Sequence, residues 1–226
     1  HQVLDSTTRR HRQGWKALSH LHERALASVR NEIATEDSRT VHLDRSDTAS
    51  QLLQLVESPA AAVVAHGDSG VGKSALVVRT LTEAAQDPDS TQVACINLRH
   101  LPPTTVELES VLGTSLTALL GELSAPRRLL VIDGADALAE GMLDPFLYLM
   151  DAAGQVDVKV VAVTANDAQQ VVRDTINDRC VGEVASFEVP PLTDAQVAEI
   201  VAVFNELSAL AADPRSRELL RRPVVV

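Results

Sequence analysis

Apolar residues follow a helical pattern in the first part of the chain. Their near-helical spacing over residues 8–34 predicts one long amphipathic helix. A second helix is predicted over residues 47–57, with Ser46 or Asp47 as its N-cap and Pro59 beyond its end. A short extended piece at residues 41–43 is expected between the two helices.

From residue 61 onward, short strand-like segments alternate with helical patterns. Strands are predicted over residues 61–65, 92–97, 129–132, 158–163 and 186–189, and the continuously apolar run at residues 61–65 is typical of a strand buried on both faces of a parallel sheet. The intervening helices are predicted over residues 73–86, 105–123, 138–153 and 167–177, the third of them kinked or split by Pro145. This alternation predicts a three-layer α/β domain with a five-stranded parallel sheet.

Beyond residue 190 the pattern is purely helical. Thr193 and Gln196 form a capping-box signature that opens a helix to about residue 207, and another helix is predicted over residues 214–221. A small helical unit is therefore expected to follow the sheet.

Composition and charge narrow the classes of function. The 226 residues are 45% hydrophobic, which suits one large globular domain, but only 2% are aromatic. Few aromatic platforms and a net charge of −11 argue against nucleic-acid binding. Cys95 and Cys180 show neither a disulfide framework nor metal-ligand spacing.

The ends and the apolar runs bear on location. No run approaches the ~20 residues of a membrane span, and there is no signal peptide, so we expect a cytoplasmic protein without a membrane partner. The chain begins at His1 without Met and stops in an apolar run, so we interpret it as a fragment of a longer protein.

One segment, between the first predicted strand of the sheet and the following helix, matches the motif G-x-x-x-x-G-K-[ST]. Its glycines permit a loop whose backbone N–H groups converge on phosphate oxygens. Lys73 would reach the β- and γ-phosphates, and Ser74 would offer its hydroxyl to Mg²⁺ at the positive end of the helix. The predicted nucleotide-contacting residues of this phosphate loop are Gly67, Asp68, Ser69, Gly70, Val71, Gly72, Lys73, Ser74 and Ala75.

A second site is predicted where the strand over residues 129–132 ends in Asp133. Ligands of open α/β sheets bind at the carboxyl ends of the strands. A carboxylate there can hold Mg²⁺, usually through a water. Ser74 and Asp133 are therefore the predicted metal ligands, and Lys73 and Asp133 are assigned to catalysis.

The segment over residues 130–138, LVIDGADAL, resembles the hhhhDGxDE-L element of the NACHT and NB-ARC ATPases. These belong to the STAND class of P-loop NTPases, which is close to the AAA+ proteins. Residues 160–164 resemble the strand that carries the sensor 1 residue, and residues 187–193 resemble the junction to the helical lid. The similarity spans residues 41–226, although only the phosphate loop is specific in isolation.

The chain departs from the family pattern at the pair of acidic residues in the hhhhDGxDE-L element. Ala137 replaces the second acid, which leaves Asp136 either to orient the attacking water or to cap the helix that begins near Leu138. The sensor strand lacks the family's arginine, so Thr164 or Asn166 would hydrogen-bond the γ-phosphate instead. Hydrolysis is therefore expected to be slow, and the absence of an N-K-x-D motif favours ATP over GTP.

The lid and the adenine side carry further candidates. By resemblance, Arg45 lies in the family's adenine-side segment, and Pro223 is the lid proline that contacts the adenine, although it would equally serve only to stop a helix. The arginines at positions 215, 217, 221 and 222 either sense the γ-phosphate or form a solvated helix face.

The resemblance implies an ASCE-type P-loop NTPase with the strand over residues 158–163 between the phosphate-loop strand and the strand that ends in Asp133. It divides the chain into a linker helix (residues 1–38), a nucleotide-binding domain (39–190) and the start of a helical lid (191–226). The implied function is a signalling switch, in which ATP or ADP with Mg²⁺ controls lid closure and homo-oligomerisation, with effector and sensor domains outside this chain. The alternatives are an active AAA+ motor and a nucleotide-binding module that never hydrolyses.

Overall fold

The computed structural model describes residues 10–29, 33–34, 40–41 and 43–222, with residues 33, 34 and 40 described by their backbone alone. Two short strands, β1 (Ile33–Ala34) and β2 (Thr40–Val41), pair antiparallel. The strands of the main sheet are β3 (Ala62–His66), β4 (Thr91–Asn97), β5 (Arg127–Asp133), β6 (Lys159–Val163) and β7 (Val184–Glu188). The α-helices are α1 (Arg12–Ala27), α2 (Ser46–Glu57), α3 (Lys73–Ala84), α4 (Thr105–Leu112), α5 (Leu116–Leu120), α6 (Leu143–Gln155), α7 (Gln169–Asn177), α8 (Asp194–Val203), α9 (Ser208–Ala212) and α10 (Pro214–Leu220).

The five main strands are parallel and lie in the order β4-β5-β6-β3-β7. Alternate residues of these strands face opposite sides of the sheet, so the sheet supports two cores. One core packs against α1 and α4–α7, the other against α2 and α3. The predicted three-layer architecture is confirmed, including β6 between β3 and β5.

Helix α1 lies against β4, the edge strand of the sheet. Trp15 and Leu18 are fully buried in the core on that side. The His22 ring, also buried, accepts a hydrogen bond from the backbone N–H of Cys95 (2.9 Å). Glu122 accepts hydrogen bonds from Trp15 Nε1 (2.8 Å) and His11 Nδ1 (2.6 Å). The boundary between a linker helix and the domain at residue 38 stays a prediction, but most of the described helix is part of the packed layer.

Helix α1 is shorter than predicted and α2 is capped differently. Helix α1 ends at Ala27, and Ile33–Ala34 turns into β1 because it pairs with β2. The predicted N-caps of α2 are wrong, since Arg45 occupies that position and the Asp44 carboxylate accepts from the backbone N–H of Ser46 (2.9 Å). Of the predicted extended piece, Val41 lies in a strand, Leu43 does not, and residue 42 lies outside the described residues.

Three of the predicted helices are interrupted or end early at positions that the periodicity does not indicate. Gly113 (φ +68°) separates α4 from α5, and Gly141 (φ +98°) separates a 3₁₀ helix (Ala135–Glu140) from α6. Such left-handed positions favour glycine because it has no Cβ. Pro145 lies in the first turn of α6 and not at the break. The helix predicted to reach residue 207 ends at Val203, although its capping box at Thr193 and Gln196 is confirmed.

The helices after β7 enclose a third, smaller core. It is formed by Val41, Leu192, Val197, Ile200, Phe204 and Leu220. Because Val41 belongs to β2, these helices pack on the segment that leads into α2, and we keep the name of the predicted lid for them. Among the described residues, no helix is both long and apolar enough to cross a bilayer.

Candidate functional site

The phosphate loop connects β3 to α3 at the carboxyl ends of the strands, next to the segment that leads from β7 into the lid. Gly70 (φ +84°) and Gly72 (φ +82°) take left-handed conformations that strain other residues. At Gly67 an added Cβ would lie 2.7 Å from the carbonyl oxygen of Val189, so the loop is closed against the chain after β7. The glycines of the motif therefore have structural reasons to be there.

Lys73 begins α3 and points back over the loop. Its Nζ donates a hydrogen bond to the backbone oxygen of Asp68 (2.8 Å). Burial lowers the pKa of Lys73, while the carboxylates of Asp136, Asp133 and others nearby act in the opposite direction. A phosphate that enters the loop can replace the carbonyl as the partner of this ammonium group.

Ser74 and Asp133, the predicted metal ligands, are in direct contact. Ser74 Oγ donates to Asp133 Oδ1 (2.6 Å), and Asn97 Nδ2 donates to Asp133 Oδ2 (3.0 Å). Asn97 is brought there by the parallel register of β4 and β5, which places it opposite Asp133. Burial raises the pKa of Asp133, although its hydrogen bonds to Ser74, Gly134 and Asn97 oppose the change.

Asp136 lies in the 3₁₀ helix after β5 and is held by an arginine. Arg99, just beyond the end of β4, donates to the carboxylates of both Asp136 and Glu140. The helix-capping role considered for Asp136 is wrong, because Gly134 is the N-cap and no side chain caps that helix. The role in orienting water stays a prediction, and Asp136 would perform it with one carboxylate oxygen engaged by Arg99.

Thr164 and Asn166, the two candidate γ-phosphate contacts, differ in what they already bind. Thr164 is buried at the end of β6, and its Oγ1 has no hydrogen-bond partner within the described part of the chain. Asn166 Nδ2 donates to Asp68 Oδ1 (2.8 Å), and Asn166 Oδ1 accepts from His66 Nδ1 (2.8 Å). Among the described residues, Thr164 is therefore the candidate γ-phosphate contact whose side chain still has an unpaired polar group.

Arg45 joins the phosphate loop to the start of the lid. Its guanidinium donates to the backbone oxygens of Val71 (2.7 Å) and Pro190 (2.5 Å). Burial lowers its pKa. The predicted adenine-side position of Arg45 is untested, but the residue does fix the loop against the junction where the lid begins.

The lid contributes one arginine to the site. Arg222 Nη2 donates to Asp68 Oδ2 (3.4 Å), whereas Arg217 and Arg221 pair with Asp194 inside the lid. Pro223, the predicted adenine contact, lies outside the described residues.

Sequence reasoning missed Asn97 and Arg99. A signal for Asn97 existed, because it closes an apolar strand as Asp133 closes β5. Arg99 carried no comparable signal, since its contacts with Asp136 and Glu140 bridge separate segments.

Comparison with known proteins finds similarity in structure alone. No family model and no curated protein matches the chain. The Orc1 protein of Aeropyrum pernix, solved in complex with DNA, is 20% identical with a TM-score of 0.53 over 80% of this chain and 59% of its own. Hsp104 in a closed state with ATPγS and FITC casein is 16% identical, with a TM-score of 0.55 over 87% of this chain and 35% of its own. The S. cerevisiae Hsp104:casein complex in an extended conformation is 15% identical, with a TM-score of 0.51 over 87% of this chain and 34% of its own.

The chain therefore spans less than two thirds of each of these proteins. They are P-loop ATPases, and at such identities their likeness bears on the fold alone. The sheet order, the loop between β3 and α3, and these neighbours together show that the chain has the three-layer P-loop ATPase fold.

Proposed function

We propose that the chain binds Mg-ATP in the phosphate loop and hydrolyses it slowly, as a STAND-type signalling switch. Nucleotide would set the position of the lid and thereby the homo-oligomerisation of a larger cytoplasmic protein with effector and sensor parts. The proposal builds on the family resemblance in the sequence. Its main structural support is the 2.6 Å contact between Ser74 Oγ and Asp133 Oδ1 beside Lys73.

The residues at this point fit a magnesium ion. Ser74 offers a hydroxyl and Asp133 a carboxylate, which are the hard oxygen donors that Mg²⁺ prefers. Burial raises the pKa of Asp133, and a nearby cation favours the charged carboxylate. When bound, Mg²⁺ neutralises part of the phosphate charge.

The remaining tasks belong to the chain's own groups. Backbone N–H groups of the loop and the N-terminus of α3 would hold the phosphates, and Lys73 would exchange the Asp68 carbonyl for a phosphate oxygen. The Thr164 hydroxyl, which has no partner among the described residues, would gain one in the γ-phosphate. Asp136 would orient the attacking water.

Slow turnover is proposed because Arg99 restrains the carboxylate of Asp136. Arg99 engages one oxygen of Asp136, and the following residue is Ala137, which has no carboxylate to replace it. A site whose general base is restrained in this way suits a switch that must persist in its ATP state longer than a motor does.

The lid provides the element that nucleotide would move. It packs on Val41 through its own small core and reaches the phosphate loop through Arg222. A ligand that contacts both the loop and the lid would bias their relative position, as a two-state switch requires.

Single-turnover hydrolysis of γ-labelled ATP, with protein in excess, tests the proposal. We expect release of phosphate over minutes to hours, and none from the Lys73→Ala variant. Turnover within seconds would favour the motor, and binding without turnover would favour the non-hydrolysing module.

A further inference from the structure

Asp68, in the second position of the phosphate loop, places a negative charge in a cradle built for anions. Its side chain is 54% exposed, and it is the loop's one acidic residue. Elsewhere in the loop, Lys73 and the helix N-terminus favour anions. A carboxylate at this point opposes a bound phosphate unless it is neutralised.

Two side chains from outside the loop hold this carboxylate. Asn166 Nδ2 donates to Oδ1 (2.8 Å) from the loop after β6, and Arg222 Nη2 donates to Oδ2 (3.4 Å) from just beyond α10 of the lid. Asn166 is itself fixed, since its backbone N–H donates to the oxygen of Gly67 (3.2 Å) and its Oδ1 binds His66. The carboxylate is thereby turned to the side from which the lid approaches.

The backbone of Asp68 also binds the lysine of the phosphate loop. Lys73 Nζ donates to the Asp68 carbonyl oxygen (2.8 Å), so one residue contacts the lysine of the loop and an arginine of the lid. Phosphates that draw either cation away would leave the Asp68 charge less compensated.

We propose that Asp68 is an internal counter-anion that limits nucleotide affinity and ties it to the lid through Arg222. The inference rests on the proposed function, since it concerns the same nucleotide site. Repulsion grows with the charge of the ligand, so Asp68 weakens ATP more than ADP. Arg222 offsets this repulsion when the lid lies against the loop.

Dissociation constants for ATP and ADP, measured by calorimetry at low and high salt without Mg²⁺, test the proposal. The Asp68→Asn variant keeps an oxygen that accepts from Asn166 but removes the charge. We expect it to bind ATP about 3–10-fold more tightly, as one nearby charge in a partly hydrated site warrants, with a smaller gain for ADP and less gain at high salt. Asp89→Asn is the control, because Asp89 is an exposed carboxylate just before the amino end of β4, whereas the phosphate loop lies at the carboxyl ends of the strands.

A double-mutant cycle with Arg222→Gln tests the coupling. We expect this change to weaken ATP binding in the wild-type background and to have a clearly smaller effect beside Asp68→Asn. An equal effect in both backgrounds would mean that Arg222 acts on the nucleotide directly, and would overturn the link to Asp68. Unchanged ATP and ADP affinities in Asp68→Asn would overturn the counter-anion role while the wild type still binds nucleotide. If the wild type binds no more nucleotide than Lys73→Ala does, the proposed function fails, and this inference with it.

Discussion

The buried hydroxyl of Thr164 is expected to affect both the stability of the fold and ATP hydrolysis, and one substitution measures both effects. Its Oγ1 has no hydrogen-bond partner in the described structure, so Thr164→Val removes an unsatisfied group from the interior. We expect the free energy of unfolding without nucleotide to stay constant or to rise by about 1 kcal/mol. ATP hydrolysis should fall, because the hydroxyl is the proposed γ-phosphate contact. Chemical denaturation and single-turnover assays measure the two effects, and lower stability with unchanged hydrolysis would contradict the assignment.

Asp136 is the one acid that the proposal assigns to the water. Asp136→Asn should reduce single-turnover hydrolysis by about 10²-fold while leaving ATP affinity nearly unchanged, because general-base catalysis contributes about this much. Glu140→Gln is the matched control, since Glu140 shares Arg99 but is not assigned to the reaction. Equal losses in both variants would show that the Arg99 ion pairs matter and the acid does not.

Helix α1 covers the edge strand β4 and binds its backbone through a histidine. The buried ring of His22 accepts the Cys95 N–H as a neutral imidazole. Burial lowers the pKa of His22 from 6.5, although the charge of Glu23 opposes this. Below about pH 6.5 the unfolded chain therefore binds more protons than the folded one, and stability falls as the pH decreases.

We accordingly expect the free energy of unfolding to decrease between about pH 7 and about pH 5.5, and this decrease to be smaller in His22→Asn. The asparagine oxygen can still accept from Cys95 but does not titrate. His20→Asn, at an exposed position of the same helix, should keep the wild-type slope. Identical slopes in wild type and His22→Asn would exclude His22 as the source.

What the sequence predicted depended on how local each feature is. The phosphate loop and the strand ending in Asp133 are contiguous patterns, and both were found. The breaks at Gly113 and Gly141 were missed because apolar spacing continues across them. Asn97 does close a strand as Asp133 does, but that position alone does not identify its partner, because its contact with Asp133 depends on strand register and appears only when β4 and β5 pair.

The proposed switch needs a lid that can loosen without unfolding the sheet. Phe204 is 2% exposed in the lid core, and Phe204→Ala should cost about 3–5 kcal/mol there. We expect faster hydrogen exchange in α8 and weaker ATP binding, with exchange in β3 and β5 unchanged. Leu219→Ala, at a half-exposed lid position, is the control. Equal acceleration in sheet and lid would mean that the two unfold as one unit.

ATP titration calorimetry with and without Mg²⁺ tests whether Mg-ATP binds at the phosphate loop. The wild type should bind ATP, more tightly with Mg²⁺, and Asp133→Asn should lose that gain while retaining metal-free binding. Lys73→Ala should lose nucleotide binding but keep its circular dichroism spectrum, because its ammonium contacts a loop carbonyl and no core group. An ATP affinity of Lys73→Ala within about threefold of wild type, or roughly 0.7 kcal/mol, would mean that the phosphate loop is not the nucleotide site.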